Sequence, residues 1–290
     1  MRDWKKYNQS LVRRGEILLS FDVMETWKDE LDVMNRGKEG KTFKYPDSFM
    51  QTLGYARAYL HLPYRQTEGL IRVHMKDTMK HTPTYSAIFK RVNKLDIKLD
   101  QSVVKSTDDI VIAIDSTGIK VANRGEWMRD KWHKRRGFLK IHVAVDVKSK
   151  KITGLDVTDE TSHDSKHMVS LLEQSEKYGN VASALMDGAF DSEDGFLQLW
   201  NRNIISGIKV RENSACTGDT PRGLYATWQI SDYDSWKEGV GYGKRWIVES
   251  VFSAIKRIFG EHVMAHSFCN MVQELKLKAS LWNKLMDVCP

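Results

Sequence analysis

Three acidic residues stand in sequence contexts that suit metal-dependent chemistry on a phosphodiester. Asp115 follows the apolar run 110–114, Asp187 follows the apolar run 181–186, and Glu249 lies in a basic stretch of helical character. Carboxylate oxygens are ligands that Mg²⁺ and Mn²⁺ favour. Two such ions about 3.5–4 Å apart can activate a nucleophile and stabilise a leaving alkoxide. The pattern predicts a two-ion centre in which Asp115 bridges both ions, Asp187 holds one and Glu249 the other.

The segment around Glu249 has the spacing Tyr242-x2-Arg245-x3-Glu249-x6-Lys256. At about 100° per residue of an α-helix, Arg245, Glu249 and Lys256 share one face, together with Phe252 and with Tyr242 close by. The predicted core face lies opposite and consists of Ile247, Val251, Ile255 and Ile258. Arg245 and Lys256 are expected to hold phosphates beside the cut, with Tyr242 adding a hydrogen bond or a stacking surface. An exposed helix with an ordinary Arg–Glu pair is the alternative.

The elements that would position these side chains can be predicted from apolar periodicity. Strands are predicted at 110–114, 139–147, 152–157, 181–186 and 204–210, and helices at 164–178, 192–201, 242–259 and 272–286. This order is typical of an RNase H-like α/β domain with a mixed five-stranded sheet and flanking helices. Because its first and fourth strands are neighbours, Asp115 and Asp187 are expected to meet at the carboxyl ends of those strands. Residues 212–240 have no steady period and predict an inserted loop.

The N-terminal part of the chain has a helical pattern, so we predict domains at 1–105 and 106–290. Helices at 66–80 and 84–95 resemble a helix-turn-helix, with Thr82 as the expected N-cap of the second helix. The basic residues of that second helix are expected to contact DNA phosphates: Lys90, Arg91 and Lys94. Two helices around a short turn are equally common in proteins that do not bind DNA.

Charge and composition favour an anionic partner. The 290-residue chain has a net charge of +7 and a pI near 9.1. Residues 61–99 contain eight Lys or Arg against three Asp or Glu, and residues 121–140 contain seven against two. In the second cluster Trp127 and Trp132 alternate with cations that include Arg135 and Arg136, a mixture typical of surfaces that follow a nucleic-acid backbone. Solvated helix faces are the alternative for each cluster.

Several function classes are disfavoured by the sequence. Cys216, Cys269 and Cys289 form no CxxC pair, which argues against a disulfide framework or a structural zinc. No apolar stretch reaches membrane-spanning length. The sequence therefore predicts a cytoplasmic protein, associated with the nucleoid if it binds DNA, and with no membrane partner.

Other polar residues are possible ligands, but their positions favour structural roles. Asp191 lies close enough to Asp187 to touch a metal shell, but a helix cap together with Ser192 is the favoured interpretation. His142, alone on its predicted strand, is interpreted as structural. The cluster between strand and helix is interpreted as a loop and an N-cap: Asp159, Glu160, His163 and Asp164.

These motifs resemble those of the DDE transposases of prokaryotic insertion sequences, in the group with the Y-(2)-R-(3)-E-(6)-K signature. Tyr242, Arg245, Glu249 and Lys256 match all four signature positions. Asp115-Ser-Thr resembles the first-aspartate motif of that family, and Asp187-Gly-Ala-Phe-Asp-Ser resembles the second. The similarity covers about residues 108–265.

The resemblance implies cleavage at transposon ends that frees a 3′-hydroxyl, followed by attack of that hydroxyl on target DNA. It implies double-stranded DNA partners, namely terminal inverted repeats and target DNA, and a homodimer or larger assembly. Two alternatives stay open: an RNase H-like nuclease that cuts without joining, and a transposase-derived DNA-binding protein.

Overall fold

The computed structural model describes residues 3–19, 22–76, 81–99, 109–121, 138–211 and 218–288. It divides into two compact units, a helical unit of residues 1–98 with 267–290 and a sheet unit of residues 99–266. Predictions that fall on Trp127, Trp132, Arg135 and Arg136 lie outside the described residues.

Helices form the first part of the described chain, and strands begin at Ile110. The helices are α1 (Trp4–Leu19), α2 (Trp27–Asn35), α3 (Asp47–Tyr59), α4 (Tyr64–His74), α5 (Tyr85–Val92), α6 (Met168–Ser175), α7 (Glu193–Asn201), α8 (Pro221–Ser231), α9 (Tyr233–Gly239), α10 (Trp246–Phe259) and α11 (Phe268–Asp287). The strands are β1 (Ile110–Val121), β2 (Phe138–Asp146), β3 (Ile152–Asp159), β4 (Val181–Met186), β5 (Ile205–Ile208) and β6 (His262–Val263). Single 3₁₀ turns at Asp164–His167, Gly188–Phe190 and Tyr242–Lys244 precede α6, α7 and α10.

The sheet is mixed, with the strand order β3-β2-β1-β4-β5, and the short β6 pairs with β1. Strands β1 and β2 are antiparallel, as are β2 and β3, whereas β1–β4, β4–β5 and β1–β6 are parallel. This is the RNase H-like α/β fold predicted from the element order, and the first and fourth strands are neighbours as expected. The prediction missed β6, which at two residues is too short to show a periodicity.

The two faces of β1 have different roles. Ile112 and Ile114 are fully buried in the main apolar core, which they share with Leu171 of α6 and Phe196 of α7. Because side chains alternate along a strand, Asp115 lies on the other face, the same one as Ala113. Helix α10 contacts β1 and β2, and its residues do not belong to that core cluster.

The helical unit has its own core around α3. Phe49, Met50 and Leu53 of α3 are almost fully buried. Helix α11 packs closely on α3, since a Cβ on Gly54 would lie 3.0 Å from a methyl of Leu277. The Tyr55 hydroxyl is 2.8 Å from that of Ser280. The structure therefore groups α11 with the N-terminal helices, whereas the sequence-based boundary placed residues 267–290 with the sheet.

Three local expectations differ from the structure. Helices α8 and α9 occupy most of the stretch predicted as a loop, because Thr220 and Asp232 cap them and Ala226 and Trp236 are buried. Helix α5 is capped by Thr84, whose hydroxyl accepts from the Ala87 amide, and not by Thr82. Strand β1 does not end at Asp115 but continues to Val121, because the hairpin with β2 pairs it as far as Lys120.

The buried stripe of α10 is also rotated from the prediction. Its buried residues are Val248, Val251, Phe252, Ile255 and Phe259, whereas Ile247 and Ile258 are not among them. The helix turns part of its polar face toward β1. Phe252, which lies on that face between Glu249 and Lys256, is buried for this reason.

Candidate active site

Asp115 and Asp187 are brought together by the register of two parallel strands. Ile112 of β1 is paired with Ala184 of β4, and Ala113 with Leu185. Continuing that register by two residues places Asp115 level with Asp187, on the same face of the sheet. The parallel ladder ends before both residues. The two carboxylates therefore lie where the strands separate, although β1 itself continues beyond Asp115.

The Asp115 carboxyl group is partly buried and close to other negative charges. Burial raises its pKa, and the carboxylates of Asp187 and Glu249 raise it further, while the Ser116 amide and Arg245 act in the opposite direction. The Ser116 amide donates to Oδ1 of Asp115 at 2.7 Å. A carboxylate in this position is stabilised by an added cation.

Arg245 supplies a positive charge between two of the acids. Its Nη1 lies 3.5 Å from Oδ2 of Asp115, and its Nη2 lies 2.6 Å from Oε1 of Glu249. Burial works against the charged guanidinium, but Tyr242, Glu249 and Asp115 together hold the pKa of Arg245 above its ordinary value. The predicted Arg–Glu pair one helical turn apart is thus present, and it also reaches the strand.

Tyr242 lies at the start of the 3₁₀ turn before α10 and near the same acids. Burial raises the pKa of its hydroxyl, and the Asp187 carboxylate raises it further, against the effect of Arg245. Its ring lies 4.8 Å from that of the buried Trp236. Asp187 itself caps the turn Gly188–Phe190, with Oδ1 accepting from the Ala189 amide at 2.9 Å. Tyr242 therefore belongs to the site and is anchored by an aromatic contact.

Lys256 is oriented by a residue that sequence reasoning missed. Its Nζ donates to the hydroxyl of Thr117 at 2.6 Å. Thr117 is two residues beyond Asp115 on β1 and hence on the same face. The spacing of Asp115 and Thr117 in the Asp115-Ser-Thr motif could have indicated this contact, but only if β1 had been predicted to continue past Asp115.

A cavity of about 610 Å³ opens along this face. It is lined by Asp115, Ser116, Thr117, Glu249, Phe252, Ser253, Lys256, Arg257 and Glu261. Asp115, Glu249 and Glu261 contribute acidic groups, of which Glu261 is paired with Lys120 at 2.9 Å, and Lys256 and Arg257 follow further along α10. This arrangement suits a phosphate backbone that passes an acidic centre.

A polar network lies on the sheet face opposite to that of Asp115, where His142 of β2 is paired with Ser116. Oδ1 of Asp164 is 2.8 Å from Nζ of Lys140 and 3.0 Å from Nδ1 of His142. Burial and the neighbouring His167 lower the pKa of His142 to about 4, so its ring is neutral at pH 7. Bonds from Lys140 and Ser116 outweigh burial and lower the pKa of Asp164. Asp164 thus serves this network, where the sequence suggested only a loop and an N-cap.

The predicted DNA contacts of the helical unit have different surroundings. Lys90 and Lys94 are exposed. Arg91 pairs with Asp47, donates to the Tyr45 carbonyl at 3.3 Å and stacks over Phe43 at 4.3 Å. Arg91 is therefore already engaged within the protein.

The donor set agrees with a hard divalent cation. Asp115, Asp187 and Glu249 offer only carboxylate oxygens, and the pKa of Asp115 is raised foremost by burial and further by the other two carboxylates. Within the described ranges, however, no three His, Cys, Asp or Glu side chains are grouped closely enough to hold an ion. Arg245, bonded to two of the acids, provides the counter-charge in this arrangement.

Fold and site together define an RNase H-like domain with an acidic centre at the parting of β1 and β4. Residues 106–284 match the family model described as Transposase DDE domain, and residues 12–124 match a second model with the same description. The chain belongs to the transposase DDE domain family.

One solved structure among those similar to the chain is a cryoEM structure of the simian T-cell lymphotropic virus intasome in complex with PP2A regulatory subunit B56 gamma. The match has 13% identity and a TM-score of 0.28, and it covers 68% of this chain and 65% of that one. The strand order of the sheet defines the fold. No described helix is both long enough and apolar enough to span a bilayer.

Proposed function

We propose that this protein is a metal-dependent transposase that binds the ends of an insertion sequence, cleaves DNA and joins the freed 3′-hydroxyl ends to target DNA. The observation that supports the proposal is the placement of Asp115 and Asp187 at the end of one parallel strand pair, with Arg245 linking Asp115 to Glu249, in a chain of the transposase DDE domain family. The basic residues of the adjoining cavity provide charge for a DNA backbone, and the cavity provides room.

Each acid is assigned a role that its position supports. Asp115 is central, since it is close to Asp187, Glu249 and Arg245, and it would contact both Mg²⁺ or Mn²⁺ ions. Asp187 and Glu249 would each hold one ion. When bound, these ions supply a nucleophile that is anionic near neutral pH and stabilisation of the leaving alkoxide.

The cations and the phenol are assigned to the DNA. Arg245 neutralises Asp115 and Glu249 in the structure, and we assign it to a phosphate when DNA is bound. Lys256, held by Thr117, is assigned to a phosphate further along the cavity. Tyr242 adds a hydroxyl or a ring at the same edge.

The assembly follows from the same proposal. Two transposon ends must be brought together before they are joined, so we propose a homodimer or larger complex on double-stranded DNA. The partners would be terminal inverted repeats and target DNA, and the protein would then act at the nucleoid. Lys90 and Lys94 are proposed as additional phosphate contacts.

The proposal is tested with DNA that contains the inverted repeats flanking the gene. The wild-type protein should nick a labelled duplex of these ends in Mg²⁺, and Asp115→Asn should abolish nicking while DNA binding persists. Nicking that is independent of metal, or that survives in Asp115→Asn, would contradict the assigned centre.

Two other functions are distinguished by the products. A nuclease without strand transfer would cut the ends but would not join pre-cleaved 3′ ends to a plasmid. A transposase-derived DNA-binding protein would bind the repeats and show neither reaction. The presence of all three acids, two after neighbouring strands and one on α10 linked to Asp115 through Arg245, favours catalysis over binding alone.

A further inference from the structure

A buried ion pair lies directly behind the turn that carries Asp187. The Asp191 side chain is only 1% exposed. Its carboxylate accepts from Nε of Arg222 at 2.7 Å and from Nη2 of Arg222 at 3.1 Å. The Arg211 amide donates to Oδ2 of Asp191 at 3.0 Å. Such a two-point contact fixes both partners in direction as well as in distance.

Further hydrogen bonds from Arg211 and Asp191 hold the backbone next to Asp187. Nε of Arg211 donates to the Gly188 carbonyl at 3.1 Å. The Asp191 amide donates to that carbonyl at 3.4 Å. On the other side, Asp187 closes the turn through the Ala189 amide. The orientation of the Asp187 carboxylate is thus linked through one short turn to Asp191.

Ser192, and not Asp191, caps the next helix. The Ser192 hydroxyl accepts from the Gly195 amide at 3.0 Å, so the cap predicted for this pair of residues needs only Ser192. Phe190, beside them in the turn, is 1% exposed and anchors it in the core. The Asp191 carboxylate instead pairs with Arg222, which stands at the start of α8.

We propose that Asp191 and Arg222 are positioning residues that hold the turn 187–191 so that the Asp187 carboxylate faces the catalytic centre. This assignment rests on the proposed function. It gives α8, which lies within the stretch inserted between β5 and the catalytic helix α10, a direct part in shaping the site. Neither residue is assigned to the ions or to the DNA.

The assignment predicts a loss of metal affinity on substitution. Residues that orient a ligand from behind contribute about 10–100-fold to metal affinity. Arg222→Gln and Asp191→Asn should each weaken Mn²⁺ binding to the full-length protein by about tenfold, and the double variant should be no weaker than the single ones. Arg222→Lys, which keeps the charge but loses the two-point contact, should fall in between.

The experiment measures free Mn²⁺ by electron paramagnetic resonance during titration of each variant, and the Mn²⁺ concentration that half-saturates nicking. Lys278→Gln is the matched control, because Lys278 forms a similarly buried pair with Glu274 at 3.1 Å in the helical unit. The control should lose thermal stability without a change in Mn²⁺ affinity. Should Arg222→Gln fail to fold, Arg222→Lys and Asp191→Asn carry the same comparison.

Asp187→Asn separates the two levels of the proposal. If Asp187→Asn loses Mn²⁺ affinity while Arg222→Gln, Arg222→Lys and Asp191→Asn keep it, the positioning assignment is wrong and the proposed function stands. If Asp187→Asn also binds Mn²⁺ like the wild type, Asp187 is not a ligand, and both assignments fall.

Discussion

Arg245 at the N-cap of α10 and Lys256 within it were predicted to bind phosphates, as were the cations of α5, but the structure gives the two sets different surroundings. At α10, Arg245 and Lys256 reach across to Asp115 and Thr117 of the central strand, at the wall of an open cavity. On α5, Arg91 reaches Asp47 of α3 and covers the ring of Phe43. A similar basic composition thus leads to two kinds of contact.

The difference shows that the partner of a cation within the protein decides whether the cation is available to bind a phosphate. Arg245 neutralises Asp115 and Glu249, so under the proposed function its release would be coupled to the binding of a metal ion. Arg91 links a helix start to its neighbour, and releasing it would weaken the helical unit. Lys90 and Lys94 in the second region keep exposed charges that are suited to phosphates. Substitutions in the two regions can test this contrast.

The largest effect is expected for Glu249→Gln. Removing this charge takes away a ligand of the proposed centre and the partner of Arg245, so nicking should fall by more than about a hundredfold, since residues that act as a unit are not additive. The fall is measured as the rate of single-turnover nicking in Mg²⁺ and in Mn²⁺. Retention of a tenth of the wild-type rate would remove Glu249 from the centre.

A smaller effect is expected for Lys256→Ala. Loss of one phosphate contact should weaken binding to the ends and reduce the dependence of log K on log salt by about 0.9. Thr117→Val should approach the same result, because Lys256 loses the hydroxyl that orients it, while Thr117→Ser should behave like the wild type. An unchanged salt slope in Lys256→Ala would show that Lys256 is only a surface charge.

The smallest effects are expected on α5, and they should separate stability from binding. Arg91→Ala should lower the free energy of unfolding by about 1 kcal/mol, because an ion pair and a cation–π contact are lost. Lys90→Ala should change stability by less than about 0.5 kcal/mol but lower the salt slope of DNA binding. Denaturant unfolding and fluorescence anisotropy measure the two quantities. A salt slope reduced by Arg91→Ala and not by Lys90→Ala would reverse the contrast.

Much of the sheet could be predicted because its signals are local. The buried runs before Asp115 and Asp187 and the alternation along β2 fix strand positions, and the order of elements then fixes which strands are neighbours. The limits of β1 could not be predicted. Beyond Asp115 it is held by its hairpin with β2, and pairing with a distant segment leaves little trace in a single stretch of sequence.

The site was predicted in the same uneven way. The spacing from Tyr242 to Lys256 follows from helical geometry alone, so the shared face of Arg245, Glu249 and Lys256 was available. The buried stripe of α10 could not be predicted, because Val248 and Phe252 are buried only through the way α10 lies on β1 and β2. Hydrophobic periodicity indicates which side of a helix is apolar. The tertiary contacts decide which residues at the border of that side are buried.

By itself the sequence determined the RNase H-like order of elements and the acids that follow the two buried apolar runs, because both follow from short-range periodicity and from the residue types that a divalent cation accepts. Only the tertiary structure decided that Arg245 bridges Asp115 and Glu249, that Thr117 holds Lys256, and that Arg222 holds Asp191. These contacts join residues far apart in the chain, or depend on the angle at which one element meets another. Which residues form these contacts is therefore decided by the geometry of the folded chain.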